Sequence, residues 1–187
     1  LIISTSFKIN TMNRIKSFLV IGLIAFLPWI SPAQKELSAD IGKTVPHPRI
    51  LLLAGEEAGI RQSIVSNANW NKMHEAILKS CDDLMDKPPI ERIQIGRRLL
   101  DKSREALRRI FQLSYAWRMT GDEKYFFRAE KEMLAIVKFR DWNPSHFLDV
   151  GEMTHAVAIG YDWLYPKMDQ TTRDFIRSRL IYLGLTE

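Results

Sequence analysis

Apolar residues recur along most of this chain at intervals of three and four, the spacing that lines one face of an α-helix. Glu56 to Ser66 predicts a first short helix. A second is expected from Asn67 or Asn69, both good caps, to Met85, with Trp70, Met73, Ile77, Cys81 and Leu84 as its apolar stripe. Pro88 and Pro89 then break the pattern. Ser103 to Met119 carries Leu107, Ile110, Phe111, Ser114 and Trp117 on one face, with Arg104, Arg108, Arg109 and Arg118 projecting elsewhere. Thr120-Gly121-Asp122 is a stop and restart, because Gly121 suits a left-handed position and Asp122 can cap the next helix. That helix runs to about Lys138, with Phe126, Ala129, Met133, Ile136 and Val137 inward and Glu130, Lys131 and Glu132 on its solvated side.

The pattern changes after an irregular loop at Asp141 to Ser145. From Met153 to Tyr161 no residue is formally charged, counting His155 as neutral, so the helix over 150–164 is expected to be buried on several sides. Gly160 inside it predicts a close helix–helix approach, since a mid-helix glycine costs roughly 1 kcal/mol of propensity. Asp169 can cap a last helix with Phe175, Ile176, Leu180 and Leu183 inward. The result is an all-α chain containing two helical hairpins, 103–138 and 150–187. Their spacing of roughly 45 residues is that of helical-pair repeats, which stack openly or close into a ring.

The N-terminal third reads differently. Arg49 to Leu53 is a short extended apolar run, and residues 34–48, ending Pro46-His47-Pro48, read as a linker. Arg14 and Lys16, the apolar run Phe18 to Leu27 and the small-residue site Ser31-Pro32-Ala33 form the pattern of a secretory signal over 12–33. The apolar run is shorter than the ~20 residues that span a bilayer, so no stable membrane span is expected after cleavage. Residues 1–11, before the first Met, read as upstream sequence. Removing 1–33 takes three of the 27 basic residues and none of the 22 acidic ones. The remaining excess of two positive charges gives no argument for a nucleic-acid partner. A lone cysteine, Cys81 on an apolar stripe, makes no internal disulfide and reads as a small buried hydrophobe. Export without a disulfide framework points to a bacterial periplasm or secretion.

Recognisable chemistry is sparse. His47, His74, His146 and His155 lack ligand spacing, so no metal site is expected, and no phosphate loop or nucleophile elbow implies a cofactor. His155 reads as a satisfied core histidine, and His47 as part of the linker. The one unusual cluster is Asp141-Trp142-Asn143-Pro144-Ser145-His146, followed by Asp149 and Glu152. Trp142 offers a flat apolar face, and Asn143 and His146 offer neutral hydrogen-bonding groups, a combination that grips sugars. Trp142, Asn143, His146 and Glu152 are therefore the candidate substrate-binding residues. The plainer reading stands beside it: Asp149 caps the helix and Glu152 sits favourably in its first turn. At Tyr161, Asp162, Trp163 and Tyr165, core packing with a hydrogen-bonded buried Asp is preferred over ligand contact.

Four stretches together resemble the heparinase II/III-like proteins: Ser103 to Leu107, Tyr115 to Asp122, Asp141 to Glu152, and Ala158 to Tyr165. The likeness covers about 49–187. It implies the first part of an incomplete (α/α) toroid, truncated here, and β-elimination of uronic-acid polysaccharides of the heparan sulfate or alginate class. An acidic polysaccharide is thus the expected partner. None of the family's catalytic motif positions can be matched, so no catalytic residue is carried over and this chain is expected to be inactive by itself. The alternatives are a toroid hydrolase such as an unsaturated glucuronyl hydrolase, for which Asp149 and Glu152 would be the acids, and a non-catalytic exported helical-repeat binding module.

Overall fold

The computed structural model describes residues 45–186. The expected upstream stretch, the expected signal segment and most of the expected linker lie outside the described residues. Six α-helices follow in order: α1 (Glu57–Ser66), α2 (Ala68–Asp82), α3 (Leu100–Thr120), α4 (Glu123–Val137), α5 (Phe147–Leu164) and α6 (Gln170–Ile181). A π-helical turn, Tyr182–Thr186, continues α6. Among the described residues no strand occurs, and Ile95 and Arg98 form an isolated bridge. No described helix is long and apolar enough to cross a membrane.

The helix boundaries follow from local chemistry. Asn67 caps α2, accepting from the backbone N–H of Asn69 and Trp70. Asp122 caps α4 through Lys124 N, and Asp169 caps α6 through Thr172 N. Gly121 ends α3 at φ 74°, a conformation glycine takes without strain.

α3 is the central element, packed against α2, α4 and α5. Its neighbour α5 runs parallel to it. Leu99 meets Asp149, Ser103 meets Glu152, Gly160 lies against Ile110 and Phe111 packs on Trp163, so the pairs advance together along both helices. α4 returns antiparallel to α3, and α6 packs along α4 and α5. The expected close approach at Gly160 is present. A Cβ there would fall 2.5 Å from Ile110 Cγ2 and 2.6 Å from Met133 Sδ. The main core joins Ala106, Ile110 and Leu113 of α3, Phe126, Met133 and Ile136 of α4, and Met153, Ala156 and Val157 of α5.

Several expectations are corrected. Arg49 to Leu53 forms no strand: Leu51 has φ 62° and is exposed, and Leu52 turns inward alone of the five. Trp70 and Met73, on the expected α2 stripe, are exposed, and burial along that stripe begins at Ile77 and is complete at Cys81. Glu132 is completely buried instead of solvated. It accepts from Arg109 Nη1 at 2.8 Å, Arg128 Nη2 at 2.5 Å and Ile90 N at 3.0 Å. A carboxylate between two guanidinium groups meets the condition under which charge tolerates burial. Arg118 is buried too, donating to the carbonyls of Leu52 and Leu53 and to Glu57.

The end of the expected linker is fixed. Pro48 is buried, and His47 stacks on Tyr165 with ring centroids 4.0 Å apart. The preferred reading of Asp162 is borne out: it is buried, and its carboxylate accepts from His47 Nδ1 at 2.5 Å, Arg49 N at 2.8 Å and Ile50 N at 2.9 Å. A common device emerges. Each irregular segment is fastened by polar side chains from a helix: Asp162 holds 47–50, Arg118 holds 52–53, and Arg128 with Arg109 holds the carbonyls of Met85, Lys87 and Pro88.

Candidate functional site

The loop between α4 and α5 carries three of the four residues expected to contact substrate, and the structure separates them from the fourth. Trp142 offers no face to solvent. It is fully buried in the main core, with indole Nε1 donating to Ile136 O at 3.0 Å. The loop folds back under the end of α4 because Asn143 adopts φ 62°, a left-handed conformation that asparagine tolerates better than most residues. Asn143 is itself nearly buried, and its side chain is committed. Nδ2 donates to Asp149 Oδ2 at 2.6 Å and Arg97 O at 2.8 Å, while Oδ1 accepts from Ser145 Oγ at 2.8 Å.

Asp149 is the hub of this latch. It also accepts from Leu99 N at 2.7 Å, so it fastens the start of α3 rather than capping its own helix. Burial works to raise its pKa. The Leu99 N–H, the Asn143 amide and the nearby His146 outweigh that and hold the carboxyl below its usual range. His146 Nδ1 lies 3.1 Å from Asp149 Oδ1, but off the hydrogen-bonding direction, so both atoms are enclosed without a hydrogen bond between them. Beside Asn143 a shallow cleft of about 380 Å³ is lined by Arg92, Gln94, Arg140, Asp141, Pro144 and Ser145. Asp141 joins its two arginines, at 2.5 Å from Arg92 Nη2 and 2.9 Å from Arg140 Nε.

Glu152 faces elsewhere. Its Oε2 accepts from the buried Ser103 hydroxyl at 2.6 Å, and its Oε1 from Arg104 Nε at 3.3 Å. With Asp149 and Glu152 both held in this way, neither is placed as a free acid for the hydrolase alternative. Glu152 instead borders an open face formed by α3 and α5. From α3 come Arg104, Arg108 and Phe111, all exposed; from α5 come Leu148, Gly151 and His155. His155 is thus not a core histidine. Its imidazole has no hydrogen-bond partner among the described residues. Ala156 and Gly160 of the same uncharged stretch are buried, while His155 shares an exposed ridge of α5 with Leu148 and Gly151.

Phe111 is partly exposed, but its position is fixed. The ring packs on Trp163 with centroids 5.2 Å apart, and Trp163 in turn donates to Ile50 O and lies under the Arg118 guanidinium. Farther along α3, Tyr115 and His74 of α2 are hydrogen-bonded at 3.1 Å. Burial raises the Tyr115 pKa, so the phenol stays protonated. The i, i+7 placement of Arg104 and Phe111 on one side of α3 was available in the sequence. The partnership of that side with the His155 ridge was not.

Among the described residues no group of three or more His, Cys, Asp or Glu is placed to hold a metal ion. No protein-family model matches the chain, and no curated protein matches it.

Proposed function

We propose that this chain forms the substrate-binding arc of an exported, bacterial polysaccharide lyase acting on a uronic-acid polymer of the heparan sulfate or alginate class. The observation that carries the reading is the parallel pair α3 and α5, whose outward ridges join aromatic, cationic and imidazole groups on one open face. In this reading α3 and α5 are neighbouring inner staves of an (α/α) toroid, with α4 and α6 as the outer returns. The resemblance over Ser103 to Tyr165 supplies the reaction class.

β-Elimination removes the proton on C5 of a uronate, which requires donors on the adjacent carboxylate and a base at the proton. The face supplies donors and an aromatic platform. Binding of this kind does not by itself accelerate the step, because only interactions that strengthen in the transition state do so. The chain is therefore expected to bind without eliminating.

The test is retention of the purified full chain on immobilised alginate and heparan sulfate, followed by incubation with each polymer. Salt-sensitive retention with no rise in the ultraviolet absorbance of unsaturated uronate is the expected result. Equal retention on a neutral glucan, or none on either acidic polymer, would sink the reading.

A further inference from the structure

The α3–α5 face contains a more specific arrangement than general polarity. Arg104 is largely exposed, yet it is not free to wander. Glu152 takes its Nε at 3.3 Å, and Glu152 is itself fixed by the buried Ser103 hydroxyl at 2.6 Å. The two terminal nitrogens of Arg104 have no partner among the described residues. A guanidinium held by its inner nitrogen presents its outer pair as a fork, the geometry that grips a carboxylate or sulfate with two parallel bonds. Both oxygens of Glu152 are engaged, so the groups turned outward are donors.

Phe111 lies seven residues farther along α3, a distance of roughly 10 Å. Its ring is backed by Trp163, so it offers a pre-positioned apolar platform at little entropic cost on binding. His155 stands between the two. Glu152 meets Ser103 and Gly160 meets Ile110, so in this parallel pair His155 lies at a height between Arg104 and Phe111. Gly151 lies one turn before it, where even a Cβ would meet nothing within 4 Å. The ridge of α5 is therefore open at its N-terminal end, and Leu107, between Arg104 and Phe111 on α3, is half-buried against the core.

We infer that Arg104, His155 and Phe111 form a subsite for about two consecutive pyranose rings of a uronate oligosaccharide. One ring's carboxylate or sulfate sits on the Arg104 fork. The apolar face of the next ring lies on Phe111, and His155 hydrogen-bonds a hydroxyl between them. The two α3 positions are separated by a rise of roughly 10 Å, which favours an oligosaccharide over a single acidic sugar as the occupant. This inference rests on the polysaccharide reading above.

The experiment is calorimetric titration of the full chain with a tetrasaccharide of mannuronate or guluronate, and with cellotetraose as the neutral control. Arg104→Gln and Phe111→Ala should each weaken the acidic tetrasaccharide about tenfold. Phe111→Tyr should keep most of the affinity, and Arg140→Gln, in the separate cleft, should leave it unchanged. Arg104→Gln changes an exposed side chain, so it decides the matter even where Phe111→Ala harms folding. Wild-type binding that survives Arg104→Gln and Phe111→Ala undiminished would overturn the subsite while leaving the polysaccharide reading intact. Equal binding of cellotetraose, or no binding of either tetrasaccharide, would overturn both.

Discussion

His47 Nδ1 lies 2.5 Å from Asp162 Oδ1, joining residues 115 positions apart in sequence. The same carboxylate takes two backbone N–H groups, at Arg49 and Ile50. Asp162→Ala would leave three donors of the 47–50 segment without their acceptor. The expected loss is about 2–4 kcal/mol of stability. His47→Ala removes one of the three and should cost about 1 kcal/mol. Chemical denaturation of the two variants checks the order; a larger loss at His47 than at Asp162 would contradict it.

Asp149 predicts a pH dependence with a definite sign. Its pKa in the folded chain lies below the ordinary 3.8. The stabilisation it provides is therefore complete above that value and is lost as pH falls through the lower, folded-state pKa. Asp149→Asn should lower stability at pH 7 by about 1–2 kcal/mol: Leu99 N and Asn143 Nδ2 both donate to Oδ2, so an amide oxygen in that place keeps both bonds but loses the charge that strengthens them. The gap between wild type and variant should narrow in melts taken from pH 5 down to pH 3. A gap that widened with acid would show that another group governs the latch.

Two glycines of α5 should respond in opposite directions. Gly160→Ala places a methyl 2.5 Å from Ile110 Cγ2 and 2.6 Å from Met133 Sδ. Overpacking of about 1–3 kcal/mol should exceed the gain of up to about 1 kcal/mol in helix propensity. Gly151→Ala meets no atom within 4 Å and should raise stability by up to about 1 kcal/mol. Thermal melts of both variants give the comparison, and a Gly160→Ala protein more stable than wild type would mean that Met133 swings aside at no cost.

Cys81 is fully buried, and burial pushes its thiol pKa up to about 12. The thiolate is the reactive species, so the native protein should resist iodoacetamide at pH 8 and be labelled promptly in denaturant. Mass spectrometry before and after denaturation reads this directly. Rapid native labelling would place α2 away from the core.

The helices were legible because their apolar residues obey one period and their ends carry Asn67, Gly121, Asp122 and Asp169. The inward set of α4, from Phe126 to Val137, is buried as the period predicts. What the pattern concealed was pairing across the chain. Glu132 beside Glu130 and Lys131 reads as a wet face, since lone charges stay in water, and its arginine partners confer burial only once the chain has folded. His155 shows the converse: a stretch without charges need not be enclosed on every side, and its inward residues Met153, Ala156 and Val157 are buried while His155 itself is exposed. Trp142 was read as a sugar platform because its loop is polar, but the left-handed turn at Asn143 drives it inward. Glu152 lies beside the open face, and its tie to Ser103 and Arg104 depends on the parallel approach of α3 and α5, which the sequence pattern does not carry.

The helix side chains that grip the loops have a consequence for how the protein opens. A loop held only by its own turn can fray while its neighbours stay folded, exposing amides to exchange and peptide bonds to proteases. Here the carbonyls of Leu52, Leu53 and Lys87 belong to Arg118 and Arg128, and these arginines are rooted in α3 and α4. Residues 47–53 and 85–90 should consequently exchange their hydrogen-bonded amides at rates near those of the central helices. A protease would then have to wait for the helices themselves to come apart.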